Sequence, residues 1–297
     1  MTDARLTRAL IVLALAGPAI LFAARPVPGA GAESTTVEVP WRPGNAETFR
    51  AGSPEEGGRH SAVGSLPVTV YRPPGEGRAP FVVLLHGCGG LGHDAMWAQW
   101  VEPWVDLLGQ HGVGAAVVDS FAPRGVSQVC TRNPGAWAVR RADDAYSVRA
   151  WLAEQPYVDD RRIAVMGMSN GGRTVLAALR TSLKHPDPFV SGVALYPGCQ
   201  SDSEETFYAP LLVLIGRADT VTPARHCEDM KRRQPSTAPD LTLVIYPRAP
   251  HTFDMPLPDR RVLGMRLGFD ADAAADARRQ VVTFLTAHGV MPATHSQ

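Results

Sequence analysis

The sequence predicts an α/β fold: a single domain built on a doubly wound, mostly parallel sheet with helices on both faces. Three observations carry this. Short apolar runs recur along the chain, each bounded by Gly, Pro or Asp, as strands buried on both sides of a parallel sheet do. Longer helical patterns fill the gaps between them, and such alternation is the signature of a doubly wound sheet. The 297 residues, 45% hydrophobic and 20% charged, suit a globular chain with one large core, and no internal repeat divides them.

Residues 1–32 stand outside this fold. Arg5 and Arg8 precede an apolar run over residues 9–24, and Ala30-Gly31-Ala32 offers a small-residue exit. That is the layout of a secretory signal peptide, cleaved near Ala32, which leaves an exported protein with no stable membrane anchor. The alternative is an uncleaved anchor; against it, the run contains Gly17-Pro18 and falls short of the ~20 residues that span a bilayer. Residues 33–61, rich in Gly, Pro and Glu, read as an extended arm. The domain follows over 62–292, and 293–297 are a tail.

Within the domain, strands are predicted at 68–71, 81–85, 114–119, 163–167, 189–196, 211–215 and 241–246. Helices are predicted at 94–110, 137–154, 170–183, 223–233 and 271–287. Pro103 is placed to kink or split the first helix, and Trp97, Trp100 and Trp104 share a helical stripe that reads as core. Arg140-Arg141 needs no functional reading, and Lys231-Arg232-Arg233 reads as a solvated helix end.

Lys and Arg total 29 against 29 Asp and Glu, and the balance is −2 once residues 1–32 are removed. No basic surface is implied, which argues against a nucleic-acid partner. Cys88, Cys130, Cys199 and Cys227 contain no C-x-x-C spacing, so zinc and thioredoxin-type readings are weak. In an oxidising compartment pairing is favoured, and three connectivities stay open.

Working residues in such sheets gather beyond the carboxyl ends of the strands, and four of those loops carry chemistry. Gly167-Met168-Ser169-Asn170-Gly171 is a G-x-S-x-G sequence between a strand and a helix. A sharp turn there lifts the serine oxygen above the sheet, and the helix start aims free N–H groups at it. Asp219, after strand 211–215, can orient a histidine or merely cap the next helix. His251 follows strand 241–246, and the order Ser169, Asp219, His251 is a hydrolase triad order. After strand 81–85 comes His86-Gly87-Cys88-Gly89-Gly90, where the N–H of Cys88 or Gly87 can join that of Asn170 in an oxyanion hole. His86 itself reads either as a structural hydrogen-bonding group or as a substrate contact. Gly87, Gly89 and Gly92 also outline a dinucleotide fingerprint, but Asp119 lies 27 residues beyond Gly92, against the usual ~20. That reading also leaves the triad unexplained.

With these loops in hand, residues 62–290 resemble the dienelactone hydrolase family of α/β-hydrolases. The likeness rests on the His86–Gly90 turn, Asp119-Ser120-Phe121-Ala122-Pro123-Arg124-Gly125, the serine turn, the loop at 216–223 and Pro250-His251-x-Phe253. Spacings of 50 residues from serine to acid and 32 from acid to histidine match that family's compact layout without a large lid. The resemblance implies Ser169 as nucleophile, Asp219 as acid and His251 as base, with no metal or cofactor. Arg124 falls where the namesake enzymes hold a substrate carboxylate; the alternative is a solvated or ion-paired loop arginine. The chain departs from those enzymes in two ways: their nucleophile is cysteine, and a glutamate stands near their oxyanion turn where this chain has His86 and Gly87. A serine esterase of small ester or lactone substrates is therefore the expectation, with a peptidase or a non-catalytic binding protein as alternatives. The family's strand order also implies disulfides Cys88–Cys130 and Cys199–Cys227 beside the site.

Overall fold

In the computed structural model, which describes residues 33–44, 63–92, 96–199, 206–262 and 264–292, eight strands share one sheet. They are β1 (Glu33–Pro40), β2 (Ser65–Arg72), β3 (Ala79–Leu85), β4 (Gly114–Val118), β5 (Val158–Met168), β6 (Gly192–Leu195), β7 (Leu211–Gly216) and β8 (Leu241–Tyr246), in the spatial order β1-β2-β4-β3-β5-β6-β7-β8. β1–β2 and β2–β4 pair antiparallel, and every later pair is parallel. A short hairpin, β9 (Arg260–Val262) with β10 (Met265–Leu267), stands apart. The helices are α1 (Glu102–Gln110), α2 (Pro134–Ala153), α3 (Asn170–Ala178), α4 (Ala224–Arg233) and α5 (Ala271–Ala287). The central strands are apolar throughout and buried along almost their whole length, as strands covered on both faces must be.

The topology decides where chemistry can sit. From β3 the chain crosses one way to β4, then returns past β3 to β5, so the loops leaving neighbouring β3 and β5 diverge. A crevice opens at such a switch point. The turn after β3 and the turn after β5 flank it, joined by the register Leu85↔Gly167.

Several elements differ from the sequence reading. Residues 33–40 are not a free arm: they form the edge strand β1, with Val37 opposite Val68. The Gly-, Pro- and Glu-rich composition belongs to the following stretch, while residues 33–40 alternate in the manner of a strand. Trp41 and Arg42 then bond to Asp144 and Ser147 of α2. The first helix is split: a π turn at Trp97–Val101 precedes α1, whose first turn holds Pro103. β6 is shorter than residues 189–196, because Phe189 N donates to the Tyr208 hydroxyl and Tyr196 has a φ of 36°. α3 stops at Ala178 because Arg180 leaves the helix to bridge Phe207. The signal segment 1–32, residues 45–61 of the expected arm, the predicted helix start at 94 and the tail 293–297 lie outside the described residues.

One apolar core spans the sheet, with Trp100 and Trp104 inside it. A second, smaller cluster of Phe121, Val129 and Trp137 lies apart from it, packed against Cys88 and Val126. Both disulfides form: Cys88 with Cys130, Cα atoms 4.9 Å apart, and Cys199 with Cys227, 5.0 Å apart.

Candidate active site

Ser169 stands between β5 and α3 with φ 51° and ψ −114°. Such a backbone costs about 1–3 kcal/mol and persists only where the surroundings enforce it. Here they do. Ser169 N donates to Leu195 O at 2.9 Å, and Arg173 N returns to Ser169 O at 2.9 Å. Gly171 lets α3 rest on the end of β3: a Cβ there would sit 2.0 Å from Leu85 O. Serine at a helix start ordinarily caps it, but Ser169 makes no cap bond. Its Oγ lies 3.0 Å from His251 Nε2 instead.

His251 follows β8 on a loop pinned to the sheet. Gly216 at the end of β7 makes room for that loop, since a Cβ there would meet Ala249 O at 1.9 Å. Gly268 N donates to His251 O, and the Tyr196 ring meets the imidazole edge-on, centroids 4.7 Å apart. Nδ1 lies 2.7 Å from Asp219 Oδ2. Asp219 is itself fixed: its Oδ1 accepts from Val221 N and Thr222 N at 2.8 and 2.9 Å, and the Thr222 hydroxyl donates to Oδ2 at 2.8 Å. The helix-capping alternative for Asp219 thus resolves into a tight turn that leaves Oδ2 facing the histidine. Asp219 and His251 are almost wholly buried, while Ser169 is partly exposed.

The turn after β3 passes beside the serine. A Cβ on Gly87 would lie 3.6 Å from Ser169 Cβ, which puts Cys88 next along the wall. Cys88 O accepts from Val129 N at 2.8 Å, and its sulfur is bonded to Cys130, so the turn is held at two points. Asn170 opens α3, and the first N–H groups of a helix have no partner within it. Cys88, on the turn beside Ser169, and Asn170, next along the chain, therefore flank the serine.

Two residues offered as substrate contacts are placed elsewhere. Arg124 is buried, with Nη1 and Nη2 donating to the two carboxylate oxygens of Asp144 at 3.0 and 2.7 Å and Nη1 also to Ser120 O at 2.6 Å. Its guanidinium fork is spent on that ion pair and is not a substrate anchor; the partner, Asp144, lies on a helix 20 residues on. His86 is fully buried, its Nδ1 2.7 Å from Gly87 O and its Nε2 accepting from Ser120 N at 3.4 Å. Burial, with Arg141 nearby, pushes its pKa well below the ordinary histidine value. It is a structural brace of the turn after β3.

Sequence reasoning missed Thr222, Tyr196, Asp254 and Arg141. Asp254 is fully buried and accepts from Tyr196 Oη at 2.7 Å and Trp104 Nε1 at 2.9 Å, while burial raises its pKa. It lies three residues past His251, so this bond ties the histidine loop to the Tyr196 ring. Arg141 had a usable signal: it falls on the helical stripe of Ala138, Ala142, Ala145 and Val148, all buried.

The dienelactone hydrolase family model matches residues 129–289. A Yersinia pestis protein named as a carboxymethylenebutenolidase is 29% identical over 139 residues, which are 44% of this chain and 49% of that protein. The chain thus spans about half the length of the curated relative it matches. A dienelactone hydrolase-like promiscuous phosphotriesterase from metagenomic libraries is 20% identical, with a TM-score of 0.64 over 87% of this chain and 99% of that one. Esterase 2 of Thermogutta terrifontis is 17% identical, with a TM-score of 0.57 over 90% of this chain and 97% of that one. At these identities the two solved structures speak for the fold, a mostly parallel α/β-hydrolase sheet, and the family match covers more than half of the chain. The chain belongs to the dienelactone hydrolase family.

Proposed function

We propose that the protein is a serine hydrolase that cleaves carboxylic ester or lactone bonds of small substrates. The observation that supports this most directly is the relay in which His251 stands 3.0 Å from Ser169 Oγ through Nε2 and 2.7 Å from Asp219 through Nδ1. His251 takes the hydroxyl proton as Oγ attacks the carbonyl carbon, and Asp219 stabilises the imidazolium that results. The backbone N–H groups of Cys88 and Asn170 receive the oxyanion. Collapse of the tetrahedral intermediate returns the proton to the leaving alkoxide and leaves an acyl-serine. Water, deprotonated by the same histidine, then releases the acid and restores Ser169.

Ser169→Ala is expected to lower kcat on short-chain aryl esters by about four to six orders of magnitude with the fold intact by circular dichroism. Undiminished turnover in that variant sinks the assignment. Matched amide substrates run alongside separate an esterase from a peptidase. A fluorophosphonate that fails to label Ser169 points to a binding protein.

We further infer that the protein works outside the cytosol. The basic start, the apolar run and Ala30-Gly31-Ala32 support cleavage near Ala32, and two disulfides suit an oxidising compartment. N-terminal sequencing of the exported protein should begin at Glu33; a chain retaining residues 1–32 in a membrane fraction supports an anchor instead.

A further inference from the structure

Arg141 sits in the middle of α2 with its side chain wholly out of solvent. Its Nη1 donates to Asn170 Oδ1 at 2.7 Å, and the guanidinium stands 5.1 Å from the Phe121 ring centroid. Among the described residues Nε and Nη2 have no hydrogen-bond partner. Asp144, three residues further along the helix, gives both oxygens to Arg124. Burial brings the pKa of Arg141 down to about 10, partly offset by Asp144 and Asp119 and reinforced by Arg124, so the group remains charged at neutral pH. A buried cation with no bonded carboxylate is costly. Among the described residues this cation makes one hydrogen bond, and it goes to the residue that follows Ser169.

Asn170 carries the effect to the site. Its Nδ2 donates to Pro134 O at 2.5 Å, so its side chain is bonded both to the start of α2 and, through Arg141, to its middle. Asn170 is also the residue whose N–H the mechanism proposed above assigns to the oxyanion, one peptide beyond the strained φ of Ser169.

We propose that Arg141 is a positioning residue for the nucleophile turn: it fixes Asn170 so that its backbone N–H meets the oxyanion, and it places a positive charge that bonds no carboxylate behind that N–H. The inference rests on the serine hydrolase reading above. Preorganised dipoles and charge act where negative charge develops, and an interaction felt mainly in the transition state appears in kcat with little change in KM. The guanidinium does not touch substrate in this account, so neutral and anionic esters respond alike.

The test compares Arg141→Met, Arg141→Lys and Asn170→Ala on a neutral aryl ester and its carboxylate-bearing analogue. Arg141→Met is expected to lower kcat about 10- to 100-fold on both, with KM within about twofold. Arg141→Lys, which keeps the charge and a donor, restores most of the loss. Asn170→Ala resembles Arg141→Met, and the double variant is no worse than the poorer single, as for residues acting through one bond. Undiminished kcat in folded Arg141→Met overturns the proposal; so does a loss confined to KM of the anionic ester, which assigns Arg141 to direct substrate contact. If Arg141→Met does not fold, Asn170→Ala with wild-type kcat overturns it equally. Ser169→Ala run in parallel separates the two levels. Turnover by that variant removes the serine hydrolase reading, whereas its inactivity beside undiminished Arg141 and Asn170 variants removes the positioning role alone.

Discussion

A serine at the first turn of a helix has two uses for its hydroxyl, and Ser169 is turned so that only one remains. With φ at 51° the oxygen leaves the helix and meets His251. The same logic of spent and unspent groups settles the neighbours. Arg124 has spent its fork on Asp144, and His86 has spent both nitrogens on backbone. Because burial holds His86 neutral, it carries a pH signature. In the unfolded chain the imidazole titrates near 6.5, while the folded value lies well below. Its contribution to stability is therefore complete above about pH 6.5 and is lost as pH falls toward the folded value, by up to about 1.4 kcal/mol per pH unit. Urea unfolding between pH 5 and pH 8 should show this slope in the wild type and a shallower one in His86→Gln; parallel slopes would remove His86 from the acid response.

The strands could be read from the sequence because their boundaries are set locally by Gly, Pro and Asp, and β8 runs where its apolar pattern does. Errors came where a distant partner decides. α3 ends early because Arg180 pairs with Phe207, and β6 starts late because the Phe189 amide goes to Tyr208. The hydrogen-bonded set of Ser169, His251 and Asp219 was legible because each member follows a strand in series. Arg141 was not, since its meaning lies in a contact with Asn170, 29 residues on, across the packed faces of α2 and α3. The join between α3 and β3 gives the test at this scale. Gly171→Ala would drive a methyl to 2.0 Å from Leu85 O, costing about 3 kcal/mol or more. Soluble yield and circular dichroism should show it misfolded where Ser169→Ala is intact; a well-folded Gly171→Ala would mean that the helix can lift from the strand.

For the molecule as a whole, the two disulfides bracket the crevice. Cys88–Cys130 joins the turn after β3 to the segment before α2, and Cys199–Cys227 joins the segment after β6 to α4. Sequence separations of 42 and 28 residues correspond to about 3–4 kcal/mol each in the chain-entropy account. Cys88→Ser with Cys130→Ser should therefore lose about 2–4 kcal/mol in urea unfolding and, because the turn after β3 then keeps only hydrogen bonds such as those to Val129 N and His86 Nδ1, should lose kcat as well. Full activity at reduced stability would show that the turn holds itself.

The small cluster of Phe121, Val129 and Trp137 separates two kinds of damage. It packs against Cys88 of the turn after β3, yet it is not continuous with the core that holds the sheet. A substitution in it therefore reaches the turn beside Ser169 before it reaches the packing of the central strands.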